Sequence, residues 1–110
     1  MKVSEIAEKL GLKITAGEAG VNKEVSGCYI GDLMSLAMAK VEERNVWITI
    51  QTNQNIVAVS SLKEAACVIL AEGSLPDETA KAKAEDEEIA IFTSDKSVYD
   101  LAKGLGELGI

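Results

Sequence analysis

The sequence predicts a three-layer α/β/α sandwich built on a mainly parallel β-sheet. Strand and helix patterns alternate through the second half of the chain, which indicates parallel strands joined by right-handed crossovers. Residues 66–71 include no polar side chain, as is typical of a central strand covered by helices on both faces. At 110 residues the chain is expected to form a single domain, residues 1–110, around one hydrophobic core.

The first half of the chain predicts one helix, two short strands and a second helix. Apolar residues at helical spacing define the first helix: Val3, Ile6, Ala7 and Leu10. Gly11 ends this helix, and strands are expected within residues 12–17 and 24–31. The turn between them contains three residues that can adopt positive φ: Gly17, Gly20 and Asn22. Asp32 is expected to cap a helix that carries apolar residues from Leu33 to Ala39.

The second half predicts three strands, each followed by a helix. The strands are residues 46–51, 66–71 and 89–93, and the helices are residues 55–65, 77–87 and 98–108. Pro76 and Asp77 are expected to open the middle helix. Two motif-like segments are interpreted as structural. GLGELG at 104–109 has the spacing of a dinucleotide-binding loop but follows no strand, and AEDEE at 84–88 is expected to be a solvated helix surface.

Composition excludes several classes of function. The net charge is −7, from 18 acidic and 11 basic residues, so a nucleic-acid polymer or an anionic membrane is not an expected partner. No apolar run is long enough to span a membrane, and the acidic, helical N-terminus does not resemble a secretory signal. We therefore expect a cytoplasmic protein.

Metal and nucleophilic chemistry also lack their usual residues. The chain has no histidine, and its two cysteines, Cys28 and Cys67, form no C-x-x-C pair. Zinc, haem and Ser-His or Cys-His catalysis therefore lose their common ligands and bases, so no metal and no cofactor are expected. Both thiols are expected to behave as small buried hydrophobes.

A ligand site is expected at the edge of the sheet where the parallel strands end. Three loops meet this condition: QTNQN at 51–55, EGS at 72–74 and TSDK at 93–96. Each leads toward a helix N-terminus, where free N–H groups favour an anionic ligand. Each polar residue taken singly could instead be a helix cap. The candidate ligand-binding residues are Gln51, Thr52, Asn53, Gln54, Asn55, Gly73, Ser74, Thr93, Ser94 and Lys96.

Five segments together resemble the DRTGG domain, which is similar to the N-terminal domain of HPr kinase/phosphorylase. They are MKVSEIAEKLGL at 1–12, VSGCYIGDLMS at 25–35, WITIQTNQNIVAV at 47–59, ACVILAEGSLPDE at 66–78 and IAIFTSDKSVYDLAKGL at 89–105. The resemblance covers nearly the whole chain and implies a three-layer α/β/α fold. This chain has TNQN where the family pattern has a charged D-R pair, and AEG where it has T-G-G, so that only Gly73 matches.

The resemblance implies a regulatory or accessory role. We expect a non-catalytic domain that senses a nucleotide or another phosphorylated metabolite at the strand-end loops. The alternative is an interaction or dimerisation module without a small ligand, which the resemblance links to hydrogenase or redox systems. An enzyme is not expected, because the phosphate-binding G-x-x-x-x-G-K-[ST] loop of a kinase is missing. A homodimer is expected, through a partly exposed Trp47 face or through the YIG strand at 29–31.

Overall fold

The computed structural model describes residues 1–110 and confirms the three-layer α/β/α sandwich. Its sheet has five strands in the order β1-β5-β4-β3-β2. Strands β2 to β5 are parallel to one another, and β1 is antiparallel to β5. The strands are β1 (Lys13–Ala16), β2 (Gly27–Ile30), β3 (Asn45–Thr49), β4 (Cys67–Leu70) and β5 (Ala90–Thr93). The helices are α1 (Val3–Leu10), α2 (Met34–Lys40), α3 (Asn55–Leu62), α4 (Glu78–Glu87) and α5 (Val98–Glu107), with a short 3₁₀ turn at Glu18–Gly20.

Each face of the sheet has its own layer of helices. Helices α1 and α5 cover one face, where they pack on side chains that include Ile48 and Ile69. Helices α2, α3 and α4 cover the other face, which includes Trp47 and Leu70. Successive residues of a strand point to opposite faces, and all four residues of β4 are buried. The prediction of a central strand without polar residues is therefore confirmed.

The turn after β1 depends on a glycine. Gly17 has φ +70°, and a Cβ at this position would overlap the main-chain carbonyl group of Ile89. Of the three residues expected to supply positive φ, Gly17 adopts it, whereas Gly20 and Asn22 do not. The close approach brings the turn against the start of β5, so β1 can pair beside that strand.

Asp32 does not cap α2, contrary to the sequence-based expectation. Residue Leu33 occupies the N-cap position and no side chain caps the helix. Asp32 Oδ1 instead accepts hydrogen bonds from Thr49 Oγ1 at 2.8 Å and from the Ile50 main-chain N–H at 2.9 Å. Its carboxylate therefore joins the loop after β2 to the end of β3. Of the helix itself, only Ala37 is buried.

Two further expectations about exposure were wrong. Trp47 is fully buried, and its indole N–H donates to the Gly31 carbonyl at 2.9 Å, so no Trp47 face is available to a partner. Cys28 is exposed as a residue, although Cys67 is buried as expected. Partial burial of the sulfur still raises the pKa of the Cys28 thiol to about 11. Cys28 lies on β2, an edge strand, which explains why helices cover only part of it.

The two motif-like segments are helical. GLGELG overlaps the end of α5 and AEDEE overlaps the end of α4. Gly104 lets the last helix approach the first closely, since a Cβ there would lie 2.7 Å from Leu10 Cδ2. The longest helices, α4 and α5, have 10 residues each, and none of the helices is long and apolar enough to cross a membrane.

Candidate functional site

The three strand-end loops lie side by side, because β3, β4 and β5 are neighbours in the sheet. Main-chain hydrogen bonds connect them directly. The N–H groups of Glu72 and Gly73 donate to the carbonyls of Lys96 and Ser94, each at 2.9 Å. The N–H group of Asp77 donates to the Thr52 carbonyl at 3.0 Å. Main-chain hydrogen bonds therefore join the three loops into one continuous surface, which we name the ledge.

A pocket of about 430 Å³ opens between two of these loops and the turn that links α1 to β1; we name it the rim pocket. Four of the ten candidate residues line it: Gly73, Thr93, Ser94 and Lys96. Its other lining residues are Gly11, Lys13, Leu75 and Asp95.

The rim pocket carries more positive than negative charge. Two ammonium groups, those of Lys13 and Lys96, and one carboxylate, that of Asp95, line the pocket. None of the three side chains forms an ion pair. Lys96 Nζ donates to the Leu10 carbonyl at 3.0 Å, whereas Lys13 makes no side-chain hydrogen bond. A lysine ammonium has three donors. Both lysines therefore retain N–H groups for an anion.

The loop backbone around the rim pocket adopts uncommon conformations. Glu72 and Gly73 both have positive φ, at 57° and 75°. A Cβ at Gly73 would make an ordinary contact with Asp95 Oδ1, at 3.4 Å, so the positive φ, rather than a lack of space, favours glycine here. The Ser94 hydroxyl accepts from the Lys96 N–H at 3.1 Å, which holds the two residues in one tight turn. Thr93 is less available, because its hydroxyl lies 3.1 Å from that of Thr15.

The remaining candidates lie outside the rim pocket. Ser74 follows Gly73, and its N–H donates to the Ala71 carbonyl at 3.1 Å. The other five lead from the end of β3 into the first residue of α3, and we name this segment the amide turn: Gln51, Thr52, Asn53, Gln54 and Asn55.

Some side chains of the amide turn already form hydrogen bonds within the protein. Gln51 Nε2 donates to the Asp32 carbonyl at 2.9 Å, and Asn53 Oδ1 accepts from the Asn55 N–H at 2.9 Å. The side chains of Gln54 and Asn55 are exposed and make no hydrogen bond. Two amide side chains of the turn, those of Gln51 and Asn53, are therefore hydrogen-bonded, and two, those of Gln54 and Asn55, are not.

The helix caps at this edge are two other residues. Asp77 Oδ1 accepts from the Ala80 N–H at 2.8 Å at the start of α4. Ser97 Oγ accepts from the Asp100 N–H at 3.0 Å at the start of α5. The Ala80 hydrogen bond, with a second from the Thr79 hydroxyl, lowers the pKa of the Asp77 carboxyl group. Capping therefore does not account for the rim-pocket residues.

Sequence reasoning missed Gly11 and Lys13. An antiparallel β1 begins at the edge where its parallel neighbours end, and β1 pairs with β5 in this way. The turn that precedes β1 therefore reaches the rim pocket. The only sequence signal was the Gly11 helix stop followed directly by a strand with a lysine at its start.

The geometry defines a class of protein: an α/β sandwich with a small cationic pocket where its parallel strands end. No protein-family profile and no curated protein matches the sequence. Among solved structures, the fold is similar to the regulatory region of a Clostridium perfringens pyrophosphatase, which contains CBS and DRTGG domains and was crystallised with its activator, diadenosine tetraphosphate. The TM-score is 0.69 at 13% identity, over 92% of this chain and 44% of that one.

At this identity the match shows the fold alone. It supports a DRTGG-like fold for this chain. This chain spans less than half of the matched regulatory region. The similarity to HPr kinase/phosphorylase stays a prediction.

Proposed function

We propose that this chain is a non-catalytic regulatory domain that binds an anionic small ligand, a nucleotide or another phosphorylated metabolite, in the rim pocket. The observation that carries the proposal is the pair Lys13 and Lys96 on one concave surface without carboxylate partners. In a chain of net charge −7, a local excess of positive charge favours an anion at that point. The volume of about 430 Å³ is in the range of small-molecule pockets.

The ligand class follows from the lining chemistry. Two lysines and the hydroxyl of Ser94 offer donors suited to phosphate oxygens, and Leu75 offers an apolar contact. The similarly folded regulatory region binds a dinucleoside polyphosphate activator, which supports a nucleotide over other anions. An extended ligand would continue along the ledge past Ser74 to the free amides of Gln54 and Asn55.

Thermal unfolding with added nucleotides tests the proposal. ATP, AMP, diadenosine tetraphosphate and inorganic phosphate are the probes, because a ligand at a hundredfold its Kd stabilises the folded state by about 2.7 kcal/mol. We expect at least one phosphorylated probe to raise the melting temperature, and Lys13→Gln to reduce that shift. Lys103→Gln on α5 is the control for a general charge effect. Equal shifts in both variants, or no shift with any probe, would contradict the proposal.

The non-catalytic part has its own test. Asp32 is engaged by Thr49 and Ile50, and Asp95 has no hydrogen-bond partner that could act with it as a catalytic pair. We expect purified protein neither to hydrolyse ATP nor to phosphorylate a protein serine. Turnover that persists through purification and disappears in Asp95→Asn would overturn this part alone.

A second candidate function is self-association through the exposed edge of the sheet. Strand β2 pairs only with β3, so its outer main-chain groups are free to pair with another strand. Exposed apolar side chains lie on and next to it; we name this set the edge surface: Ile30, Leu33, Leu36 and Met38. Such a surface favours a homodimer.

Light scattering at micromolar concentration tests self-association. We expect a dimer for the unmodified chain and a monomer for Ile30→Lys, because Ile30 is 44% exposed and its substitution does not disturb the core. Leu62→Lys is the control, since Leu62 is 71% exposed and lies on α3. A monomeric parent protein would exclude this function and leave the rim-pocket proposal intact.

A further inference from the structure

A second polar pocket, of about 320 Å³, lies at the opposite end of the parallel strands from the rim pocket. We name it the basal pocket. It is bounded by residues just before β3, β4 and β5 and by the segment before β2. Six of its eight lining residues are polar: Lys23, Glu43, Arg44, Ser61, Glu64 and Glu87.

The basal pocket brings both signs of charge together without pairing them. Lys23 and Arg44 face a cavity that three glutamates also line. The chain has two ion pairs within 4.0 Å, Met1 with Glu24 and Lys81 with Glu78, and neither involves a basal-pocket residue. Flexible charged side chains around a cavity gain little from solvent-screened attraction across it. A bound molecule that carries both charges would bring each group to a direct partner.

Main-chain hydrogen bonds fix the backbone of Arg44, and the Lys23 ammonium group has a main-chain acceptor. The Arg44 N–H donates to the Glu64 carbonyl at 2.8 Å, and the Arg44 carbonyl accepts from the Ser26 N–H at 3.0 Å. Lys23 Nζ donates to the Glu88 carbonyl at 2.8 Å, at the C-terminal end of α4. Burial lowers the pKa of the Lys23 ammonium group. An ammonium that has lost part of its hydration gains from a nearby anion.

The negative side of the pocket is also organised. Glu87 Oε2 accepts from the Ser61 hydroxyl at 3.1 Å, which connects α3 to α4 across the cavity. Helices α3 and α4 both end here, and helix C-termini favour positive charge. With three glutamates against two cations, the pocket as a whole favours a ligand with an ammonium group over a simple anion.

We propose that the basal pocket binds a zwitterionic small molecule of the amino-acid class. Arg44 and Lys23 hold its carboxylate, and Glu87 with the neighbouring glutamates holds its ammonium group. Such a ligand would contact the ends of α3 and α4 together with the residues that precede three strands. The basal pocket is therefore a site separate from the rim pocket, with a different ligand chemistry.

Isothermal titration calorimetry with the standard free amino acids tests this inference. For each amino acid that binds, the N-acetyl derivative removes the ammonium charge and the C-terminal amide removes the carboxylate. We expect at least one free amino acid to bind and both of its derivatives to bind at least about tenfold more weakly, since each leaves one set of protein charges unpaired.

Variants locate the binding. Arg44→Gln and Glu87→Gln should each raise the Kd about tenfold, and both are surface positions where the fold should persist. Lys13→Gln, in the rim pocket, is the matched control and should leave amino-acid binding unchanged. Absence of binding by every free amino acid, equal binding of the derivatives, or a loss confined to Lys13→Gln would overturn the inference. Each result is independent of nucleotide binding in the rim pocket.

Discussion

Lys96 Nζ donates a hydrogen bond to the main-chain carbonyl oxygen of Leu10, at 3.0 Å. Leu10 is the last residue of α1, and Lys96 lies in the loop between β5 and α5. Lysine at a helix C-terminus satisfies a free carbonyl and interacts favourably with the helix dipole. The Lys96 side chain thus satisfies a free carbonyl at the end of α1 and also contributes positive charge to the rim pocket.

The first prediction separates these two roles of Lys96. Lys96→Met should lower the free energy of unfolding by about 1 kcal/mol, because the hydrogen bond to Leu10 is lost. Lys13→Met removes the same charge from the same pocket without a hydrogen bond, and should change stability by less than about 0.5 kcal/mol. Urea denaturation of both variants gives the comparison. Equal losses would mean that charge, rather than the Leu10 contact, determines the effect.

The second prediction concerns two glycines. Gly17→Ala should destabilise the fold by at least about 3 kcal/mol, since the new Cβ would meet the Ile89 carbonyl at a positive φ. Gly106→Ala should stabilise it by about 0.5 to 1 kcal/mol, because a Cβ there has open space in the last turn of α5. Thermal and chemical denaturation of the pair measure both effects. A mild Gly17→Ala phenotype would show that the turn can move away from β5.

The third prediction is a pH dependence at the start of α4. Hydrogen bonds from Ala80 and Thr79 lower the pKa of Asp77 below its usual 3.8. A depressed pKa in the folded state contributes stability above the unfolded pKa, which is lost as the pH falls through the folded pKa. Asp77→Ala should therefore be less stable than the parent at neutral pH and converge with it in stronger acid. Asp77→Asn, which keeps an acceptor, should lose less. A stability difference that does not change with pH would exclude the charged cap.

The fourth prediction divides the amide turn by function. Asn53→Ala should lower stability by about 1 kcal/mol, because Asn53 Oδ1 accepts from the N–H of Asn55 where α3 begins. Gln54→Ala and Asn55→Ala should leave stability nearly unchanged, since neither side chain is bonded. If the turn contacts a nucleotide, these last two variants should weaken its binding. If both variants bind the nucleotide as tightly as the parent protein, the amide turn has a structural role only.

The order of elements could be predicted because apolar periodicity differs between strands and helices. Their ends were harder to place. Helix α3 was expected to reach residue 65 but ends at Leu62, because Glu64 adopts φ 55°. A glutamate gives no sign of a left-handed conformation, unlike a glycine. The start of α2 was misplaced as well, because Asp32, a residue type that commonly caps helices, accepts its hydrogen bonds from the end of β3 instead.

The candidate site was predictable in part for a related reason. Parallel strands in sequence order place their following loops together, so Gly73, Ser94 and Lys96 could be grouped from the sequence. Lys13 could not, because its position depends on β1 pairing antiparallel to β5. The basal pocket was also beyond sequence reasoning, since Lys23 and Glu87 are far apart in the chain and no motif joins them.

The layer formed by α1 and α5 has a consequence for synthesis. Helix α5 supplies Leu101 and Leu105 to the cover of one sheet face, and it follows all five strands in the chain. A nascent chain that has released all five strands from the ribosome still exposes apolar side chains of that face, with α1 as the only helix over them. This face can be fully covered only after α5 has been translated. Until then its exposed apolar side chains are of the kind that chaperones bind.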